Sequence, residues 1–354
     1  MLDKHLKIIA GPCSVETPDQ VRHIARELSG LDLYAFRAGI WKPRTQPGAF
    51  EGAGLEGVKW LKEACAEFGF SPITEVASSA HVEAVLKAGF SKVWIGARST
   101  SNPFSVQELA DALQGTATTV LIKNPTNPDV KLWIGGIERL YKAGIKEIIA
   151  VHRGFSTYDK QRYRNLPNWQ LPIGLRQAFP KLEILCDPSH ITGKAENVPM
   201  VAQMAVDLKF DGLMVEVHTH PENAWTDSLQ QITPSALKNL LVGLKYRSRA
   251  ELDKEELRGL RAELSVLDEQ LIRILFKRMG ISEAIGHYKN ENHIAIFQTS
   301  QWEDSLKKFV NMAGEMDISP EFAKELFTLI HQESIETQSR ILSKENDYGS
   351  DSTK

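Results

Sequence analysis

The feature that most narrows what this chain can fold into is a rhythm. Eight short apolar, β-rich runs recur at about 6–12, 34–39, 71–76, 92–97, 119–124, 147–152, 183–187 and 212–217. Between them lie segments with helical periodicity, of which Val58-Lys59-Trp60-Leu61-Lys62-Glu63-Ala64-Cys65 is a clear case. Turn signals such as Lys87-Ala88-Gly89 and Lys142-Ala143-Gly144 close helices ahead of strands. Eight strands alternating with helices over about 245 residues predict an α/β fold of the (β/α)₈ barrel type in both count and size. A doubly wound open sheet is the rival. It would normally carry a Gly-rich phosphate turn, which this sequence lacks.

In such a barrel, chemistry collects at the C-terminal ends of the strands. Ile184-Leu185-Cys186 reads as a buried strand that Asp187-Pro188 stops, which leaves Ser189 and His190 just beyond it. The first strand ends near Cys13, the eighth at Glu216, and Asp227 follows eleven residues later. Cys13, His190, Glu216 and Asp227 are all potential metal ligands that closure of the strands would gather around one cation. The other ends carry cations: Arg37, Lys42 and Arg44 after the second, Arg98 after the fourth, Lys123 at the fifth and Arg153 after the sixth. Six basic groups at equivalent positions imply a strongly anionic substrate with more than one phosphate. Taken singly, each has a plainer reading. A lone Arg is usually a solvated charge, Cys13 a small buried hydrophobe, and Glu75 an ion-pair partner for an arginine. His218-Thr219-His220 is a competing metal pair, a strand cap or a pair that orients substrate, and Cys65 and Cys186 are assigned to packing.

The formal charge of the 354 residues is −3, which gives no reason to expect nucleic acid or an anionic membrane. Three cysteines are too few for a disulfide framework and suggest a reducing compartment. No apolar run approaches membrane-spanning length and no signal peptide is evident, so the expected location is cytoplasmic.

After Lys245-Tyr246-Arg247-Ser248-Arg249 the strand-like runs stop. Leu257, Leu260, Leu264, Leu267, Leu271 and Ile274 recur at intervals of three and four, predicting one amphipathic helix over about 252–290. Two more are expected near 300–313 and 319–342, the latter announced by Ser319-Pro320. The domains are therefore placed at 1–245 and 254–343, with a short charged linker at 246–253 and a disordered tail at 344–354. A helix of ~38 residues is about 57 Å long, and two shorter helices cannot cover its apolar stripe, so a second chain is expected there. Arg278 and Lys289, eleven apart, lie only ~20° around the helix from each other and share a face. Arg261 is ~25 Å from Arg278 along the axis, so both meet one ligand only across a dimer. Ser334 and Gln338 form an i, i+4 polar pair on the third helix.

The segments Gly11-Pro12-Cys13-Ser14, Lys42-Pro43-Arg44-Thr45, Gly96-Ala97-Arg98, Asp187-Pro188-Ser189-His190 and Glu216-Val217-His218 occur in the order seen in 3-deoxy-D-arabino-heptulosonate 7-phosphate (DAHP) synthase. Residues 1–245 resemble its shorter type I subgroup. That resemblance implies a metal-dependent condensation of phosphoenolpyruvate with erythrose 4-phosphate. It implies Cys13, His190, Glu216 and Asp227 as ligands of a divalent ion (Mn, Fe, Co or Zn), and Arg37, Lys42, Arg98, Lys123 and Arg153 around phosphoenolpyruvate; Glu75 is a further candidate substrate-binding residue. Lys42, Arg44 and Thr45 would face erythrose 4-phosphate, with Lys42, Lys123 and His190 taken as catalytic. Some positions depart: Gln46 and Gly48 follow Thr45 where Ser and an aromatic are common, Asn124-Pro125 follows Lys123, and His152 stands where an acidic residue is frequent.

Residues 252–342 resemble the all-helical chorismate mutase, through Leu260-Arg261-Ala262-Glu263-Leu264, Leu267-Asp268-Glu269 and the spacing of Arg278, Lys289, Ser334 and Gln338. The resemblance implies that Arg278 and a partner chain's Arg261 hold the two carboxylates of chorismate, while Lys289 and Gln338 serve the ether oxygen on the way to prephenate. Gln301 and Trp302 stand where that family often has Arg and Glu. The expectation is a bifunctional, homodimeric enzyme with feedback between its domains. Two alternatives stand beside it: a non-catalytic, ligand-sensing helical module behind the same barrel, and a barrel related to 3-deoxy-D-manno-octulosonate 8-phosphate synthase.

Overall fold

In the computed structural model, residues 6–42, 48, 50–157, 163–247, 255–297 and 299–348 are described. The chain forms two units, 1–247 and 248–354. The first half of unit one runs β1 (Lys7–Gly11), α1 (Pro18–Leu28), β2 (Ala35–Arg37), α2 (Gly54–Phe68), β3 (Pro72–Val76), α3 (Ser79–Lys87), β4 (Lys92–Ile95), α4 (Ala97–Thr100) and α5 (Pro103–Leu113). Its second half is β5 (Thr119–Lys123), α6 (Val130–Lys142), β6 (Ile148–His152), α7 (Gln170–Ala178), β7 (Glu183–Cys186), α8 (Pro188–Thr192), α9 (Val198–Asp207), β8 (Gly212–Glu216) and α10 (Pro234–Gly243). All neighbouring strands pair in parallel and in sequence order, and β1 pairs β8 from Lys7 opposite Gly212 to Gly11 opposite Glu216. The sheet is a closed barrel.

Alternation along each strand divides the apolar residues into two layers. Ile9, Ile73, Trp94, Leu121, Leu185 and Met214 point inward and fill the barrel. Their neighbours, among them Ala10, Val93, Ile122, Ile184 and Val215, face out and pack under the helices. Many helices begin with a side-chain cap: Thr17, Ser78, Asn102, Asp129, Asp187 and Thr233 each accept from a backbone N–H in the first turn. Chain entry into those helices is thereby set, and every strand's C-terminal end opens on the same rim.

The second unit is three helices, α11 (Glu255–Glu291), α12 (Thr299–Glu315) and α13 (Pro320–Tyr348). The backbone of α13 is helical through Tyr348. Leu260, Leu264, Leu267, Leu271 and Ile274 on α11 are each half or more exposed within this chain. Among the described residues, no helix is long and apolar enough to cross a membrane.

Gly11 shows how tightly the rim is built. Its φ is +146°, and a Cβ there would sit 2.1 Å from the backbone oxygen of Arg37. Gly11→Ala is expected to cost at least about 2 kcal/mol, a fall of roughly 4–8 °C in the barrel's unfolding midpoint. Differential scanning calorimetry of the full chain checks this.

Candidate active sites

Every strand of the barrel contributes a group to the rim. Arg37 closes β2, Glu75 lies in β3, Arg98 in α4 directly after β4, and Lys123 closes β5. Arg153 follows β6, His190 sits in α8 after β7, Glu216 ends β8, and Cys13 lies two residues beyond β1. A cavity of about 330 Å³ opens there, lined by Lys42, Glu75, Arg98, Lys123, Arg153 and His190, with Arg164 and Asp227. Arg44 and Thr45 lie outside the described residues.

Ligand-capable atoms of Cys13, Glu216 and Asp227 all lie within 4.8 Å of one another, and among the described residues no other group of three His, Cys, Asp or Glu does so. His190 stands beside them, its Nε2 3.7 Å from Glu216 Oε1. A thiol and two carboxylates, with an imidazole adjacent, suit a borderline divalent ion. Without one, burial and then Glu216 push the Cys13 thiol up to about 12, so a cation must displace its proton on binding. Lys42 Nζ donates to Cys13 Sγ over 3.1 Å, which fixes that lysine beside the cluster. The donor set fits a divalent metal. The rival pair does not form one: His218 Nδ1 accepts the backbone N–H of His220 and acts as a strand cap, while the His220 side chain is exposed beside Glu222.

The cations stand around a buried indole. Arg37 lies 5.0 Å and Lys123 5.7 Å from the Trp94 ring centre, close enough for cation–π attraction. Trp94 Nε1 donates to Glu75 Oε2 at 3.0 Å, so Glu75 is held by the indole. A Cβ on Gly96 would come within 2.1 Å of Glu75 Oε1; that glycine makes room for the carboxylate. Arg37 pairs with Glu216 at 2.9 Å, and its Nε and Nη1 are buried with no partner. Two orphaned guanidinium nitrogens are what a bound anion would satisfy.

Several residues at this rim carried no signal in the sequence. Asp187, expected only to stop a strand, caps α8, accepts from Lys123 at 2.9 Å and lies 2.8 Å from His190 Nδ1. Burial opposes its ionisation, yet His190 and Lys123 outweigh that and hold its carboxyl well below the usual range. Asn124, noted only as a departure, accepts the Arg153 N–H at 2.7 Å and donates to Gly154 O at 2.7 Å. Asn165 takes the Arg153 guanidinium at 2.7 Å. His152 is enclosed by Phe155, Trp169 and Phe210; burial pushes it down to about 3, so it is neutral. A charged residue there would lie unpaired among aromatics.

In the helical unit, α11, α12 and α13 enclose a second cavity, about 340 Å³, lined by Arg278, Lys289, Gln301, Trp302, Ser334 and Gln338 among others. Arg278 Nη1 donates to Ser334 Oγ at 2.5 Å and Lys289 Nζ to Ile296 O at 2.5 Å. Gln338 is 8% exposed and its Oε1 has no partner. Arg261 is exposed on α11 and does not line this cavity. Trp302 stacks on His331 at 3.9 Å with ring planes 7° apart. An aromatic pair thus occupies the wall where an acidic side chain was the common alternative.

The DAHP synthetase I family matches residues 2–250, and the chorismate mutase type II family matches 260–339. A phospho-2-dehydro-3-deoxyheptonate aldolase of Thermotoga maritima is 31% identical over 241 residues, 68% of this chain and 69% of its own length. A 2-dehydro-3-deoxyphosphooctonate aldolase of Nitratidesulfovibrio vulgaris is 27% identical over 237 residues, 62% of this chain and 84% of its own. The crystal structure of the Thermotoga maritima DAHP synthase superposes with a TM-score of 0.60 at 28% identity, covering 74% of this chain and 70% of that one. With an eight-stranded barrel whose rim gathers these cations and donors, followed in sequence by a helical unit, the chain belongs to the DAHP synthetase I family and carries a C-terminal chorismate mutase domain.

Proposed function

We propose that the barrel condenses phosphoenolpyruvate with erythrose 4-phosphate to DAHP and phosphate in a metal-dependent reaction, and that the helical unit converts chorismate to prephenate under feedback coupling to the barrel. The observation that carries the first part is the rim cavity, where Lys42, Arg98, Lys123 and Arg153 line the wall beside the Cys13–Glu216–Asp227 cluster. These cations, with the buried Arg37, suit the carboxylate and phosphate of phosphoenolpyruvate, and Lys42 with Arg44 and Thr45 is assigned to erythrose 4-phosphate. A divalent ion held by Cys13, Glu216, Asp227 and the adjacent His190 would supply Lewis acidity for the aldehyde carbonyl. The phosphoenolpyruvate methylene carbon attacks that carbonyl and forms the new C–C bond. Positive charge develops at the enol carbon, water adds there, and phosphate leaves by C–O cleavage. Fixed cations around Trp94 meet the phosphate and carboxylate without reorganising, which is how electrostatic preorganisation lowers such barriers.

In the helical unit, Arg278 is held by Ser334 in a shape that presents guanidinium N–H groups to a carboxylate. In this reading Lys289 and Gln338 donate to the ether oxygen of chorismate as it gains negative charge. The second carboxylate requires Arg261 from another copy, and the exposed leucines of α11 are the surface through which we propose a homodimer forms. We place the enzyme in the cytoplasm, as the three free, buried cysteines suit a reducing compartment.

Three outcomes test this reading. Chelation abolishes condensation in the full chain, Mn, Fe, Co or Zn ions restore it, and Cys13→Ala lowers metal affinity; full activity in rigorously metal-free protein would refute the metal assignment. Arg278→Ala and Lys289→Ala each lower mutase kcat/KM by roughly 100-fold or more, followed by loss of chorismate absorbance, whereas Gln301→Arg raises it by restoring a cation to the wall. Unchanged turnover in both alanine variants sinks the catalytic role of the helical unit. Finally, prephenate slows condensation by the wild type, and Arg278→Ala removes that response, because coupling requires a ligand that binds two conformations unequally. Condensation kinetics indifferent to prephenate at matched metal would leave the two domains independent.

A further inference from the structure

Behind the proposed cation site lies a hydrogen-bonded connection that no sequence motif announced. Gln230 follows β8 in the turn after Asp227 and is 1% exposed. A buried amide must find partners for both its ends. Its Nε2 donates to Glu216 Oε2 at 2.6 Å, and its Oε1 accepts from Arg164 Nη1 at 2.6 Å. The same Arg164 nitrogen donates to Asp227 Oδ1 at 3.0 Å. Only one orientation of the amide serves both neighbours, since a carboxylate accepts and a guanidinium donates.

We propose that Gln230 and Arg164 form a positioning relay that presets the two carboxylates of the metal site. This rests on the metal reading above. Each carboxylate has one oxygen held by the relay, so the planes of both are set before a cation arrives. The other Asp227 oxygen, Oδ2, faces Cys13 Sγ at 3.4 Å, and the other Glu216 oxygen, Oε1, faces Arg37 and His190. The backbone at Asp227 is left-handed, φ +47°, so its side chain leaves the chain in a direction that Arg164 then secures. The residue types fit the task. Gln230 is neutral and adds no charge to a cluster of anionic donors, where a lysine would compete with the cation and a glutamate would repel its neighbours. The relay's positive charge sits one residue farther out, on a side chain that is half exposed.

The test is Mn²⁺ affinity of the metal-free, full-length protein, read from the electron paramagnetic resonance signal of free Mn²⁺, with no turnover involved. Gln230→Met and Arg164→Met are each expected to weaken binding 10- to 100-fold, as loss of a group that orients a metal ligand does. Their unfolding midpoints in chelator should stay near that of the wild type. Cys13→Ala is the reference for the site itself. If it binds Mn²⁺ like the wild type, the metal assignment falls and the relay with it. If Cys13→Ala loses the metal while either methionine variant stays within twofold of the wild type, the relay is overturned and the metal site stands. Should Gln230→Met fail to fold, the half-exposed Arg164 decides alone on the same threshold.

Discussion

The rim of the barrel depends on one buried ion pair, Arg37 with Glu216. Both side chains are essentially inaccessible, at 1% and 0% exposed, so each charge needs the other. Removing one partner of such a pair commonly costs about 3–5 kcal/mol, because the survivor is left desolvated. The pair also has a geometric role. β1 lies between β2 and β8, so the ion pair arches over the end of β1, where Gly11 leaves room for Arg37 and Cys13 follows. The proposed cation site is therefore assembled by the same contact that ties three strands together.

Around that pair the rim alternates charge. Lys123 and His190 meet at Asp187, Lys42 meets Cys13, and Arg164 meets Asp227. Two nitrogens of Arg37 have no hydrogen-bond partner, and Arg98 and Arg153 line the cavity. A protein with a formal charge of −3 thus presents a cationic pocket, and the anionic substrate proposed for it would complete the balance. The neutral His152 in its aromatic enclosure serves the same end, since a second charge beside Arg153 would change what the pocket attracts.

The helical unit follows another logic. Its cavity also holds two cations, Arg278 and Lys289, but the rest of its wall is neutral and partly aromatic. Stacking of Trp302 on His331 gives that wall rigid rings in place of an ion pair. Burial, with Arg278 and Lys289 nearby, holds the pKa of His331 down, so the wall keeps its neutral character. The apolar face of α11 is exposed within one chain, and Arg261 lies on that helix outside the cavity.

Local pattern was enough to read the elements. The eight strands sit within a few residues of their expected positions, since strand alternation, helix caps and Gly turns are written in adjacent residues. The long helix expected over 252–290 runs over Glu255–Glu291 for the same reason. Strand-end reasoning also named Cys13, Glu216 and Asp227, because one end of a parallel barrel collects whatever follows its strands. The partners of those residues were not legible. Gln230 reads as a turn residue and Arg164 as a loop cation until the barrel closes and sets them 2.6 Å apart, 66 positions away in sequence. Asp187 looked like a strand stop. The reason is physical: sequence periodicity reports which face of an element is buried, whereas the partner of a buried polar group is chosen by closure, across elements that share no local pattern. The residues at the strand ends were determined by the sequence alone; which charge each one meets was decided only by the tertiary structure.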